Sequence, residues 1–173
     1  MGATDALGSS CVQVAKMLGA QVIAGAGSDE RVKAAKSYGA DFGVNYRQQN
    51  LAEEVMKLTD GQGVDVVCEN IADPTIWREA LNSLTSGRLV TAGAHGGGTV
   101  TLDVKRVYMR RLRIIGTAGT NLPNVDRALQ AAYAGKIGAI IDRTMPLSAA
   151  AEAHRILEAN RPLGKIILDP TKH

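Results

Sequence analysis

The chain has 173 residues, 45% of them hydrophobic and 21% charged, with a formal net charge of +3. This suits one soluble domain with a sizeable core, and aromatics at 3% leave Val, Ile, Leu and Ala to build it. The charge is too small to argue for nucleic acid. No apolar run approaches the ~20 residues that span a bilayer, and no basic-then-apolar leader precedes a cleavage site; no membrane partner and a cytoplasmic location are therefore expected.

The chain opens on a turn, Gly2 to Gly8, that runs directly into a helix. The first N–H groups of a helix lack internal partners and carry partial positive charge, so such an end binds phosphate. Gly2, Ala3, Ala6 and Gly8 let an anion approach the backbone, and Ser9 and Ser10 offer hydroxyls or a cap. Cys11, Val14, Ala15 and Leu18 recur at helical spacing and predict a buried face, with Gly19 as the stop. The dinucleotide fingerprint GxGxxG is matched poorly, because Ala3, Asp5 and Gly8 stand where its glycines would be. A carboxylate at Asp5 repels a pyrophosphate unless it turns outward or finds a cation. An ordinary strand-to-helix turn that binds nothing is the plain alternative.

Gln21 to Ala24 reads as a short strand, and Ser28, Asp29 and Glu30 as the cap and first turn of a helix ending at Gly39. Phe42 to Asn45 is the next strand, followed by a helix capped by Asn50 with Leu51, Val55 and Leu58 on one face. Val64 to Glu69 is a strand, and Asp73-Pro74 starts a helix whose buried stripe is Trp77, Ala80, Leu81 and Leu84. Arg88 to Thr91 is a strand, a glycine-rich loop runs from Gly93 to Thr99, a short basic helix begins at Asp103, and Leu112 to Gly116 is the next strand.

Strands separated by helices require crossover connections, so the expected fold is α/β, a doubly wound parallel sheet covered on both faces. In such sheets a first strand precedes the phosphate turn and lies centrally, between the strands read here as Gln21–Ala24 and Val64–Glu69. Only Met1 precedes the turn. The sheet is therefore expected to lack its own first central strand, and the chain to be a piece of a longer protein.

Cys11 and Cys68 fall in elements expected to be buried, without the close spacing of a metal or redox motif, and read as packing residues. His95, His154 and His173 assemble no zinc cluster, so no metal site is assigned. His95 reads as a solvent-exposed bystander. The cluster Lys105, Arg106, Arg110, Arg111 and Arg113 reads as a solvated helix face, since only Tyr108 interleaves it.

Five stretches carry a resemblance: GSSCVQVAKMLGAQVIAGAGSDER, KSYGADFGVNYR, TDGQGVDVVCEN, SGRLVTAGAHGG and DRTMPLSAAAEAHRILEANRPLGKIIL. In this order they resemble the cofactor-binding half of the medium-chain dehydrogenase/reductase superfamily, most closely its NADPH:quinone oxidoreductase branch. The resemblance implies a dinucleotide-binding (Rossmann) domain over residues 1–138 and a segment, 139–173, that returns to a separate catalytic domain. That segment would then bury the apolar face of Ala150, Ala153 and Leu157. The absent domain would carry much of the substrate site, and the catalytic zinc where one exists.

The same resemblance places the cofactor. Ala3, Thr4, Ala6, Leu7 and Gly8 form the phosphate turn. Ser28, Arg31 and Tyr46 match positions that hold a 2′-phosphate. Asn70, Ala92, Gly93 and Ala94 line the ribose and nicotinamide side, with Thr117 to Thr120 nearby. NAD-binding turns end their second strand in an acid, whereas Gly25-Ala26-Gly27-Ser28 has none before the helix begins, so NADP(H) is the expected cofactor. The expected function is the cofactor-binding part of an NADPH-dependent oxidoreductase that transfers hydride to a quinone, enone or aldehyde. A small-molecule substrate and a homo-oligomer are the expected partners, and no residue here need be an acid or base. The alternatives are part of a zinc alcohol dehydrogenase and a non-catalytic nucleotide-binding or assembly module. A short-chain dehydrogenase is set aside because no tyrosine has a lysine four positions on. A methyltransferase is set aside for want of an acid at the second strand.

Overall fold

The computed structural model describes residues 1–159 and 162–172; His173 and two positions of the closing motif lie outside the described residues. The elements alternate as α1 (Ala6–Met17), β1 (Ile23–Ala26), α2 (Asp29–Ser37), β2 (Phe42–Asn45), α3 (Leu51–Leu58), β3 (Val66–Glu69), α4 (Pro74–Asn82), β4 (Arg88–Thr91), α5 (Val104–Met109), β5 (Arg113–Gly116), α6 (Leu122–Tyr133), β6 (Ile141–Pro146), α7 (Ala150–Glu158) and β7 (Lys165–Asp169). A single 3₁₀ turn, Leu147–Ala149, leads into α7.

Local chemistry sets the helix starts. The side chains of Asp5, Ser28, Asn50, Asp73, Asp103 and Asn121 each accept an otherwise free N–H in the first turn of α1 to α6. β1 begins two residues later than its apolar run predicts. The carbonyl of Val22 accepts from both Asp41 and Phe42, so the chain is still turning there and the β1–β2 ladder starts at Ile23.

All paired strands are parallel: β1 with β2, β3 with β4 and β4 with β5, and separately β6 with β7. The doubly wound layout is thus present as two sheets, β2-β1 and β3-β4-β5, without pairing between β1 and β3 among the described residues. This seam is where the central strand was expected. Residues 1–3 lie across it: Met1 N donates to Cys68 O of β3 at 2.6 Å, and Ala3 N donates to Gly25 O of β1 at 3.2 Å.

One face of the β3–β5 sheet is the main core. Val67, Leu89 and Leu112 pack with Trp77, Ala80, Leu81 and Leu84 of the α4 region and with Leu51 and Val55 of α3, as the predicted stripes require. The expectation of a sheet covered on both faces fails on the other side, where Val66, Cys68 and Ile115 are exposed. The helix that could cover it, α6, contributes no buried residue; Leu122 is 84% and Tyr133 96% exposed.

The predicted buried face of α1 also needs correction. Val12 is the apolar residue buried there, with Ala3, Ala24, Ala35 and Ala40, whereas Cys11, Val14 and Ala15 are half-buried and Leu18 is exposed. Nor are the cysteines both packing residues. Cys11 is half-buried and Cys68 is exposed.

Beyond α6, β6, β7, the 3₁₀ turn and α7 form a separate unit. Ala153 is buried within it and Leu157 is exposed. It is tied back by reciprocal bonds between Gln13 and Gly138 (Nε2 to O, 3.0 Å; N to Oε1, 2.8 Å) and by Tyr38 Oη donating to Leu163 O at 3.4 Å.

Leu89, at 0% exposure, sits at the centre of the main core. Leu89→Ala is expected to lower unfolding free energy by roughly 2–5 kcal/mol, because neighbours fixed by the sheet cannot collapse into the cavity. Urea denaturation followed by circular dichroism measures it.

Candidate functional site

The opening turn is tight enough to demand glycine. A Cβ at Gly8 would stand 2.0 Å from Gly2 O, and Gly2 itself adopts φ +65°. This brings the start of α1 against the carboxyl ends of β1 and β3. Ala3, Thr4 and Gly8 are buried in the turn, while Ala6 and Leu7 are exposed at its outer edge.

The Asp5 carboxylate turns inward and, among the described residues, is bridged by no cation. Its Oδ1 accepts Gly8 N at 2.6 Å and its Oδ2 accepts Asn70 Nδ2 at 2.7 Å. The carboxylate therefore sits on the positive end of α1, using a donor of the kind that would serve a phosphate. Because a carboxylate only accepts, this bond orients the Asn70 amide and turns its Oδ1 away. That oxygen is buried and has no hydrogen-bond partner among the described residues. Asn70 is 4% exposed, so this acceptor is held ready for a donor at the mouth of the seam.

Glu69 explains how Asn70 is held, and sequence reasoning missed it. At 1% exposure, its carboxylate accepts the backbone N–H groups of Ile71 and Ala72 and closes the turn that follows β3. Its only sequence signal is an acid ending an apolar strand. Gly93 leans on this turn; a Cβ there would meet Asn70 O at 2.8 Å. Ala92 N donates to Glu69 O at 3.1 Å. Ala92 and Ala94 are exposed beside it, and His95 is exposed, as expected.

Ser28, Arg31 and Tyr46 gather at the carboxyl end of β1. Ser28 Oγ caps α2 by accepting Arg31 N at 3.3 Å. Arg31 crosses from α2 to the turn, where its Nη1 donates to Thr4 Oγ1 at 2.8 Å; its Nη2 donates to Pro162 O at 3.4 Å. Tyr46 lies over Gly27, where a Cβ would meet its hydroxyl at 3.2 Å and Arg47 Nε at 3.3 Å. Arg47 is thus a second guanidinium at this end, undetectable from spacing because only the β2 turn brings it back to Gly27. Burial pushes the Tyr46 phenol above its ordinary pKa, so it stays neutral beside Arg47 and Arg31. The nearby acid, Asp29, is engaged elsewhere, accepting Asn45 Nδ2 at 2.8 Å.

Two groups lie apart from this site. Thr117 to Thr120 are exposed at the end of β5. The basic cluster is partly structural, which corrects its reading as a solvated face: Arg106 donates to Asn82 O at 2.9 Å and Arg110 to Leu84 O at 3.0 Å. These cations satisfy carbonyls at the negative end of α4. Among the described residues, no group of three or more His, Cys, Asp or Glu side chains could hold a metal, and no helix is long and apolar enough to cross a membrane.

The arrangement combines a polarised helix entrance, a buried free acceptor and guanidinia flanking a glycine-lined strand end. It suits an elongated ligand with anionic groups. Asp5 is the misfit for an anion at the helix entrance.

Residues 6–134 match the family described as zinc-binding dehydrogenase. The chain is 32% identical to quinone oxidoreductase-like protein 2 of Bos taurus, over 96% of this chain and 50% of that protein. It is 31% identical to an NAD-dependent alcohol dehydrogenase of Sulfolobus acidocaldarius, over 99% of this chain and 49% of that one. Its fold superposes on mycobacterial Rv1454c complexed with NADPH with a TM-score of 0.80, at 26% identity, covering 98% of this chain and 56% of the other. The chain spans about half the length of the curated relatives it matches. A match over most of its length, on parallel strands and crossover helices in this order, establishes that the chain belongs to the zinc-binding dehydrogenase family of the medium-chain dehydrogenase/reductase superfamily and corresponds to its cofactor-binding half.

Proposed function

We propose that the chain holds NADP(H) for an oxidoreductase that reduces a small carbonyl, enone or quinone bound against a separate catalytic domain. The observation that carries this reading is Arg31: its guanidinium reaches Thr4 of the phosphate turn, with Arg47 and Tyr46 completing a cationic, donor-rich end at Gly27. A 2′-phosphate requires such cations and donors, whereas a bare ribose is served by an acid, and Asp29 is turned to Asn45. Residues 139–173 would pack on the catalytic domain in this reading.

When bound, the coenzyme supplies the hydride. The chain's own residues position it. Gly2 and Gly8 keep side chains clear of the turn, the α1 entrance faces the anionic backbone, and Asn70 Oδ1 offers an acceptor that Glu69 holds in place through the turn. No residue here moves a proton in this reading.

Asp5 supports a second reading, a module that binds no nucleotide, because its carboxylate fills the anion position at α1 from within. Titration with NADPH and NADH, followed by nicotinamide fluorescence, separates the two. Micromolar NADPH binding with much weaker NADH binding supports the first, and no binding supports the second.

Three variants sharpen the test. Arg31→Glu is expected to weaken NADPH binding by on the order of 100-fold while leaving NADH within a few-fold, because it reverses the charge at the phosphate. Equal losses would remove the assignment. Asp5→Asn keeps a capping oxygen but deletes the charge, and should tighten NADPH binding by about tenfold. Gly8→Ala should abolish binding and lower the urea midpoint, since its Cβ has no room against Gly2 O.

A further inference from the structure

α2 carries two donors on one face. Arg31 and Tyr38, its C-cap, stand about two helical turns apart and so project from the same side. Both reach the bend between α7 and β7, at consecutive carbonyls: Arg31 Nη2 donates to Pro162 O at 3.4 Å, and Tyr38 Oη donates to Leu163 O at 3.4 Å. Through Nη1 the same guanidinium donates to Thr4 Oγ1 of the opening turn at 2.8 Å. Arg31 therefore spans two parts of the chain, with one edge on the phosphate turn and the other on the β6–β7 unit.

The bend itself is firmly held. Pro162 is buried, and its ring limits the backbone there. Leu163 N donates to Asp142 Oδ1 of β6 at 3.0 Å. Gly164 adopts φ +129° and passes so close to the start of β6 that a Cβ would stand 2.5 Å from Ile140 O, and Lys165 N donates to the same carbonyl at 2.8 Å as β7 begins. The Leu163 N–H, followed by Arg143, holds the Asp142 carboxyl below its ordinary pKa against the opposing effect of burial, so it stays an ionised acceptor. On the other side, Tyr38 packs against the small core of Ala3, Val12, Ala24, Ala35 and Ala40.

We propose that the Pro162–Leu163 bend sets coenzyme choice by positioning Arg31, with Asp142 and Tyr38 as the positioning residues that hold the bend. This rests on the reading of Arg31 as the group that meets the 2′-phosphate. A guanidinium on a long side chain loses rotamer freedom when it meets an anion, and one already held by a fixed carbonyl loses less, so the ordering favours the phosphorylated coenzyme. NADH has no phosphate at that position and gains nothing from it. The β6–β7 unit thus takes part in the site through its backbone, without touching the reacting atoms.

Titration of the whole chain with NADPH and with NADH, followed by nicotinamide fluorescence, reads the ratio of the two dissociation constants. Asp142→Ala removes the acceptor for Leu163 N and is expected to weaken NADPH binding about tenfold while leaving NADH within about twofold. Asp142→Asn keeps an amide oxygen for Leu163 N and should restore the preference. Tyr38→Phe deletes the hydroxyl alone and should weaken NADPH about threefold in the same selective sense. ¹⁵N relaxation at Arg31 Nε in the coenzyme-free chain checks the positioning without any coenzyme: the side chain should be ordered in the unaltered protein and as mobile as exposed Arg78 in Asp142→Ala. Equal mobility of Arg31 with and without Asp142, or equal losses for both coenzymes, would overturn the proposal. Selectivity lost in Arg31→Glu but kept in Asp142→Ala would overturn it while leaving the reading of Arg31 in place.

Discussion

The structure turns on the carboxylate of Asp5. One oxygen accepts the N–H of Gly8 and so fixes the start of α1; the other accepts the amide of Asn70 and so fixes the end of β3. Because β1 and β3 do not pair, this bridge, with the bonds from Met1 to Cys68 and from Ala3 to Gly25, joins the two sheets at the site. The carboxylate also replaces from within the anion that a helix entrance attracts. The group that organises the turn therefore occupies the position an anion would take there.

Charge is distributed around that bridge with a consistent sense. Arg31 and Arg47 converge on the strand end at Gly27 and on Thr4, while Asp29 is drawn aside by Asn45 and Glu69 is consumed by backbone N–H groups. Two guanidinia thus lie at this end, while Asp5, Asp29 and Glu69 all have internal partners. This matters more than the count of charges, because a net +3 says nothing of where they stand.

The seam has a cost on the opposite face. Cys11, Val14 and Ala15 of α1 are only half-buried, α6 has no buried residue, and Val66, Cys68 and Ile115 are exposed. A buried packing cysteine and an exposed one have the same sequence signature, and only the fold distinguishes them.

The sequence by itself determined the elements and their order, because capping residues, apolar spacing and glycine stops act within a few residues of chain. Ser28, Asn50 and Asp73 cap the helices they were expected to cap, and Leu51, Val55, Trp77 and Leu84 are buried as their periodicity requires. The break between β1 and β3 also falls where a central strand was expected. What only the tertiary structure decided were contacts between segments distant in the chain: Asp5 with Asn70, Arg31 with Thr4, Arg47 over Gly27, and Arg106 on the end of α4. Local propensity carries no information about these pairs, because each forms only after crossover helices have brought strand ends together at one edge.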